Sequence, residues 1–477
     1  MNELDKKIKS TFPEESVYKI PERYSVLASR NLPSFIKDWL IKRFTDDENG
    51  ELHTEGLLQF LENHIPHKDD HIKSILVSDH EPKTVLARIL VEPDVKTGML
   101  RFSIPDIQIK FNEGRIPRHI AKKHPGLKGG EVWGVVTLGY IPPQDKKEKG
   151  VIEITDFKPF KPYDVDLTYY REVRNEYSTE EWIDLLIRSM EYNPEGFENL
   201  TQKLAFLSRL MVFVEARLNI IELAPKGTGK SYVFGNLSKY GWLISGGSVT
   251  RAKLFYDSAR NTMGLITMYD FVAMDEIKTI NFSNVEEIQG ALKNYLESGM
   301  FTVAQVRQTS TSGFMLLGNI SLNSELQPLS KNYFVDLPFA FQDTALLDRF
   351  HGFIEGWRLP RIKENLKVKG YTLNVEYFSE VLHTLRQSSE FLSIVNELLD
   401  VPRDADTRDV TAVKRCASAY LKLLFPNIRS GGDLDKSAFE TFCLKPALNK
   451  RRIIRQQLHL MDSEFKEDLP DIQLKGA

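Results

Sequence analysis

Residues 34–44 read Ser34-Phe-Ile-Lys-Asp-Trp-Leu-Ile-Lys-Arg-Phe44, with apolar side chains returning every three or four positions, and Thr54-Glu-Gly-Leu-Leu-Gln-Phe-Leu61 repeats the rhythm. At the helical period those side chains share one face, so both segments are predicted to be amphipathic helices. Residues 74–160 have another texture: β-branched runs at 84–91, 132–140 and 151–155, broken by Gly and Pro. Such runs between turn residues predict a small β-domain. Periodicity then fades, and Ser178-Thr-Glu-Glu-Trp182 supplies the serine and acidic residue of a capping box, which puts the main boundary near residue 170. The expected units are therefore 1–170, helical plus a small β-domain, and 171–358, where helix and strand patterns alternate as in an α/β layer with a parallel sheet between helices. Residues 359–462 are predicted to be mostly helical, and 463–477 form a short charged tail.

At 477 residues the chain exceeds one ordinary core, which agrees with several domains. Its net charge of −3 means that any contact with nucleic acid must come from local basic patches. The two cysteines, Cys416 and Cys443, and an opening Met-Asn-Glu-Leu-Asp-Lys-Lys without an apolar signal region disfavour a disulfide framework and secretion, so the expected compartment is the cytoplasm. No run of about 18 apolar residues occurs, so no ordinary membrane span is expected.

Candidate chemistry begins at Glu222-Leu-Ala-Pro-Lys-Gly-Thr-Gly-Lys-Ser231. An apolar run before it and a helix-forming run after it place a glycine-rich turn where a strand feeds a helix, the setting of a phosphate-binding loop. The turn of Pro225, Lys226, Gly227, Thr228 and Gly229 offers backbone N–H groups to phosphates; Lys230 is expected on the β- and γ-phosphates of ATP, and the Ser231 hydroxyl on Mg2+. Ala224 stands where this loop pattern has its first glycine. Downstream, Met268-Tyr-Asp-Phe-Val-Ala-Met-Asp275-Glu276 is an apolar strand ending in two carboxylates, with Asp275 suited to the Mg2+ shell and Glu276 to polarising a water. That pair predicts hydrolysis rather than transfer to a substrate. Gly313-Phe-Met-Leu-Leu-Gly318-Asn319 is a further strand ending in an amide that can meet the γ-phosphate or the lytic water. Arg349, in Asp348-Arg349-Phe350-His351-Gly352, follows as either an arginine finger for a neighbouring subunit or the partner of Asp348.

With these residues the chain resembles the AAA+ superfamily, within it the MCM-helicase branch, and most closely the BrxL-like ATPases of BREX phage-defence systems. The resemblance runs through Phe157-Lys-Pro-Phe160, Glu180-Glu-Trp-Ile-Asp-Leu-Leu-Ile-Arg-Ser189, the phosphate loop, Ser245-Gly-Gly247, Tyr295-Leu-Glu-Ser-Gly299, Gly318-Asn319 and the His351 to Trp357 stretch. It implies an OB-like N-terminal barrel, an AAA+ core, a helical lid or winged-helix-like region over 359–462, and a homo-oligomeric ring, hexameric, single or stacked, with DNA and other BREX components as partners and no membrane. A Lon-type protease domain is usual in such proteins. Here about 50 residues follow Pro426, which leaves no room for one, so protease activity is not expected of this chain.

The resemblance also implies a DNA-facing hairpin at 301–311, with Arg307 as its tip and Gln308 beside it. Two basic clusters are further DNA candidates: Lys122 and Lys123, with Lys110, Arg115, Arg118 and Lys128, and Arg451 and Arg452, with Lys445, Lys450 and Arg455. Phe102 and Trp133 are either base-stacking or core aromatics. Arg415, or its neighbour Lys414, is the candidate second sensor cation of the nucleotide site. His64, His67 and His71 are spaced too irregularly for a metal site. The leading expectation is a ring ATPase that encircles or moves along DNA in phage defence. Its rivals are a protein-remodelling ATPase serving a separate protease and an ATP-gated DNA clamp.

Overall fold

The computed structural model describes residues 2–28, 30, 32–46, 50–65, 71–94, 97–128, 130–143, 149–258, 262–303 and 306–476. Helix α1 (Ser34–Arg43) buries Phe35, Ile36, Leu40 and Ile41, the apolar face that its spacing predicts. It does not pack on a self-contained N-terminal unit alone: Asp38 Oδ2 accepts the Val375 N–H at 3.0 Å. A short strand at Ser16–Lys19 likewise pairs antiparallel with Gly370–Leu373. The first helices are thus tied to chain segments beyond residue 359.

The β-branched region forms a closed barrel of β1 (Lys83–Asp94), β2 (Met99–Ile104), β3 (Ile109–Ile116), β4 (Gly130–Ile141) and β5 (Val151–Pro159), in the order β1-β2-β3-β5-β4. Helix α2 (Arg118–Lys123) lies between β3 and β4. The β3–β5 pair is parallel, Gly114 facing Ile152, and the remaining pairs are antiparallel. Alternate residues point inward, as the two-residue period requires: Val85, Ala87, Ile89 and Val91 from β1 meet Phe102, Val136, Leu138, Ile152 and Ile154. Phe102 is fully buried there. Trp133 packs edge-on against Phe35 at 5.9 Å, so it joins the barrel to α1.

The second half is built on β6 (Asn219–Ala224), β7 (Gly241–Val249), β8 (Phe271–Phe282), β11 (Gly313–Asn319) and β12 (Gly352–Glu355), with helix α3 (Lys230–Asn236) after β6 and α4 (Val285–Ser298) after β8. A hairpin of β9 (Met300–Val303) and β10 (Val306–Thr309) precedes β11. The sheet order is β12-β6-β11-β8-β7 and every pairing is parallel. Strand β6 is buried along its whole length, which explains why it reads as a continuous run rather than an alternating one. Three longer helices follow, α5 (Val375–Arg386), α6 (Thr407–Leu424) and α7 (Lys445–Met461). Among the described residues no helix is long and apolar enough to cross a membrane.

Candidate functional site

In a parallel sheet the strand ends share one edge, and the carboxyl ends of β6, β8 and β11 bring the motif residues together. The turn after β6 uses left-handed backbone at Gly227 (φ 82°) and Gly229 (φ 76°), conformations that cost a side chain. At Gly229 a Cβ would also meet the Tyr192 hydroxyl at 2.0 Å. Ala224 in place of the expected glycine is accommodated from the neighbouring strand: at Gly356 a Cβ would lie 2.3 Å from the Ala224 methyl.

Helix α3 opens with Lys230, whose Nζ donates to Asn319 Oδ1 at 2.8 Å. Ser231 Oγ donates to Asp275 Oδ2. Burial lowers the Lys230 pKa, and the nearby Glu222 and Asp275 carboxylates act against that shift. Asp275 is itself buried, and its Oδ1 accepts the Glu276 N–H at 2.8 Å. Glu276 is exposed and holds φ 49°, a left-handed conformation rare for a residue with a side chain. A hydroxyl and a carboxylate in contact at the end of a phosphate-type loop form a hard oxygen donor set. That set fits Mg2+.

Arg349 sits just before β12, which starts opposite Ile220, at the end of β6 remote from the phosphate loop. The segment is pinned there by the His351 N–H donating to the Asn219 carbonyl at 2.8 Å and by the Asn219 N–H donating to His351 Nδ1 at 3.0 Å. Burial, together with Arg415, Arg451 and Arg217 nearby, pushes His351 well below the usual histidine range, so it accepts as a neutral ring. Asp348 does not pair with Arg349: it takes Arg451 Nη2 at 2.6 Å and Arg408 Nη1 at 2.9 Å. Arg349 Nε instead lies 3.0 Å from Glu297 Oε2, a carboxylate shared with Arg408.

Two expectations, the second sensor cation and the late basic cluster, need correction. Arg415 donates to the Ala216 carbonyl, ahead of β6 and away from the phosphate loop of its own chain, so it does not reach that site. Arg451 is fully buried, donating to Asp409, Asp348 and the Phe350 carbonyl, and is no surface cation. Lys450 and Arg455 are buried with it, which leaves Arg452 and Lys445 exposed from that cluster. Burial rules out phosphate contact for the three inward residues.

The 301–311 segment does form a hairpin, with Val303 opposite Val306. Arg307 faces Thr302 and Gln308 faces Phe301, so the exposed Arg307 flanks the turn instead of occupying its tip; residues 304 and 305 lie outside the described residues. Lys122 and Lys123 are exposed on α2, with Lys110 and Arg118 also exposed, whereas Arg115 pairs with Glu153 at 3.1 Å. The Lys128 side chain is outside the described residues. His64 packs on Phe60, His67 is outside the described residues, and among the described residues no group of three His, Cys, Asp or Glu could hold a metal.

Sequence reasoning missed Arg209 and Glu222, a fully buried pair beneath the loop, and Ile362, whose N–H donates to the Gly227 carbonyl at 2.8 Å. A signal for the pair was present: Glu222 is a charge inside an otherwise apolar strand, which demands a buried partner.

The parallel order, with the glycine turn between β6 and α3 and carboxylate and amide on the two strands next to it, defines an AAA+-like ATPase core. Family models agree: "Lon-like protease BrxL-like, ATPase domain" matches residues 152–471 and "BREX system Lon protease-like protein BrxL N-terminal" matches residues 10–140. The chain belongs to this BrxL-like family of BREX-associated Lon-like ATPases. It is 28% identical over 433 residues to the Lon-like protease BrxL of Escherichia coli O9:H4 (strain HS), covering 90% of this chain and 61% of that protein. It is 29% identical over 466 residues to the Lon-like protease BrxL of Bacillus cereus (strain H3081.97), covering 96% of this chain and 67% of the relative. The chain thus spans between three fifths and two thirds of the length of these curated relatives.

Proposed function

We propose that this chain is an Mg2+-dependent ATP hydrolase that works as one subunit of a hexameric ring on DNA, in the cytoplasm, as part of a BREX-type phage-defence system. The observation that carries the hydrolase reading is the meeting of Lys230 with Asn319 and of Ser231 with Asp275 at one sheet edge, with Glu276 exposed beside them. Ser231 and Asp275 would hold Mg2+, which would supply charge neutralisation for the phosphates. Lys230 binds the β- and γ-phosphates, Asn319 orients the terminal phosphate and the water, and Glu276 takes the proton of that water.

Arg349 supports the ring. It lies at the opposite end of the sheet from its own loop, so a phosphate that it serves belongs to a neighbouring copy. Exposed Leu326, Leu329, Val335 and Phe339, all in the chain segment between β11 and β12, provide apolar surface for such packing.

For DNA, the barrel has the strand order and the parallel β3–β5 pair of an oligonucleotide-binding fold, with exposed Lys122 and Lys123 on its helix. The hairpin adds Arg307 and Gln308, and Arg452 is a further exposed cation. Helices α5 to α7 form the lid. The test is ATP turnover with and without duplex DNA, expected to rise with DNA. Arg307→Ala should weaken DNA binding and lower the slope of log affinity against log salt by about 0.9. Stimulation by unfolded protein, and none by DNA, would favour the remodelling alternative.

A further inference from the structure

The buried pair beneath the phosphate loop also touches the loop itself. Arg209 Nε donates to Glu222 Oε2 at 3.0 Å and Nη2 to Oε1 at 2.5 Å, a bidentate fork with both side chains fully buried. Replacing such a pair by well-packed apolar residues is often neutral for stability, because desolvating two charges offsets their attraction. The guanidinium, however, has a third engagement. Nη1 donates to the Thr228 carbonyl at 2.8 Å, inside the loop itself.

A trans peptide points its C=O and the next N–H in opposite directions, and this chain has no cis bond among its described residues. Drawing the Thr228 oxygen inward to Arg209 therefore turns the Gly229 N–H outward, to the concave side of the loop. A phosphate needs that orientation, since N–H groups attract it and a carbonyl oxygen repels it. Glycine at 229, free of side-chain restraint, offers little resistance to a peptide flip. Arg209 is the donor that opposes the flip, and Glu222 fixes the plane from which it donates. On the other side of the turn the Ile362 N–H does the same for the Gly227 carbonyl, so two successive peptides are each tied by their oxygen.

Resting on the ATP-site reading above, we propose that Arg209 is a positioning residue for nucleotide binding: braced by Glu222, it locks the Thr228–Gly229 peptide with its N–H toward the phosphates. Lysine cannot replace it. A single ammonium lacks the planar fork that grips both carboxylate oxygens while a separate N–H reaches a carbonyl.

The experiment compares the wild-type chain with Arg209→Lys and with the apolar double variant Arg209→Met/Glu222→Leu. Melting temperature reports folding, titration with a fluorescent ATP analogue in Mg2+ reports affinity, and steady-state turnover reports KM and kcat. The double variant should melt close to wild type yet bind the analogue at least about tenfold more weakly, with KM rising more than kcat falls. Should it not fold, Arg209→Lys decides, with the same loss of affinity expected in a folded protein. Wild-type affinity in either folded variant overturns the role of Arg209. Absence of analogue binding by the wild-type chain would instead reject the ATP-site reading from which the proposal starts.

Discussion

Lys230 and Asn319 stand 89 positions apart in the chain, yet the lysine Nζ donates to the asparagine Oδ1 at 2.8 Å. An ammonium has no acceptor, so the amide oxygen must face it and the amide NH2 must face the other way. That makes Asn319 a donor aimed outward from the strand end. Asn319→Ala is therefore expected to keep nucleotide binding within a few fold and to lower ATP turnover by about 10²-fold, the loss typical of one oriented donor to transition-state charge. Lys230→Ala should abolish binding itself. A turnover assay beside an equilibrium binding titration separates the two outcomes.

Glu276 combines exposure with a backbone angle of φ 49°. Left-handed backbone costs a residue with a Cβ about 1 kcal/mol, and such strain persists where geometry demands it. Glu276→Gln keeps the strain and loses the base, so ATP binding remains while hydrolysis falls by about 10²-fold or more. Glu276→Gly should lose hydrolysis equally but gain about 0.5–1 kcal/mol in stability, read as a higher denaturation midpoint. Equal midpoints for the two variants would mean that the angle costs nothing.

The part of this arrangement legible from sequence is the part set by local rules. A glycine turn between an apolar run and a helix former, and strands ending in Asp275-Glu276 and Asn319, mark strand ends whichever way the sheet is ordered. Arg451 is the opposite case. Its basic neighbours suggest a solvated face, but the helical period turns Lys450, Arg451 and Arg455 inward and leaves Arg452 outward. Its partners, Asp348 and Asp409, are remote in sequence, and nothing local announces them. The close approach of Gly356, which leaves room for the Ala224 methyl, is equally non-local.

Arg349 and Lys230 occupy opposite ends of the same sheet. If the arginine serves a neighbour, Arg349→Ala should bind ATP normally and lose about 10³-fold in turnover. Lys230→Ala should be equally inactive, yet it retains the arginine. Mixing the two inactive proteins creates interfaces where the intact loop of one meets the intact arginine of the other, so activity should return in part. A mixture as inactive as its components would count against a shared site.

Arg451 satisfies Asp348 and Asp409 while donating to the carbonyls of Asp348 and Phe350, on either side of Arg349. Arg451→Met removes one of two arginine partners from each buried carboxylate, leaving Asp348 to Arg408 and Asp409 to Arg455, and a loss of about 3 kcal/mol is expected. Arg452→Ala, one position along and exposed, should change stability by less than about 0.5 kcal/mol. Chemical denaturation of the pair measures both, and comparable losses would show that the helix face has been assigned wrongly.

Glu376 supplies a pH dependence that is independent of the nucleotide site. It is fully buried, with Lys239 Nζ at 2.5 Å; the same lysine reaches Glu380 at 2.7 Å, and the Tyr240 hydroxyl donates to Glu380 at 2.8 Å. Burial pushes the Glu376 carboxyl from 4.5 up to about 7, with Glu380 adding to the rise and Lys239 and Lys161 opposing it. Because the folded state holds this proton more tightly than the unfolded chain, the stability it confers is fully present below pH 4.5 and is lost as pH rises through about 7. A rise of that size corresponds to on the order of 3 kcal/mol. Thermal unfolding of the wild-type chain between pH 5 and 8 should therefore show a falling contribution that Glu376→Gln lacks, since the amide fills the same space without a titrating proton. An identical pH slope in the two proteins would assign the titration to another group.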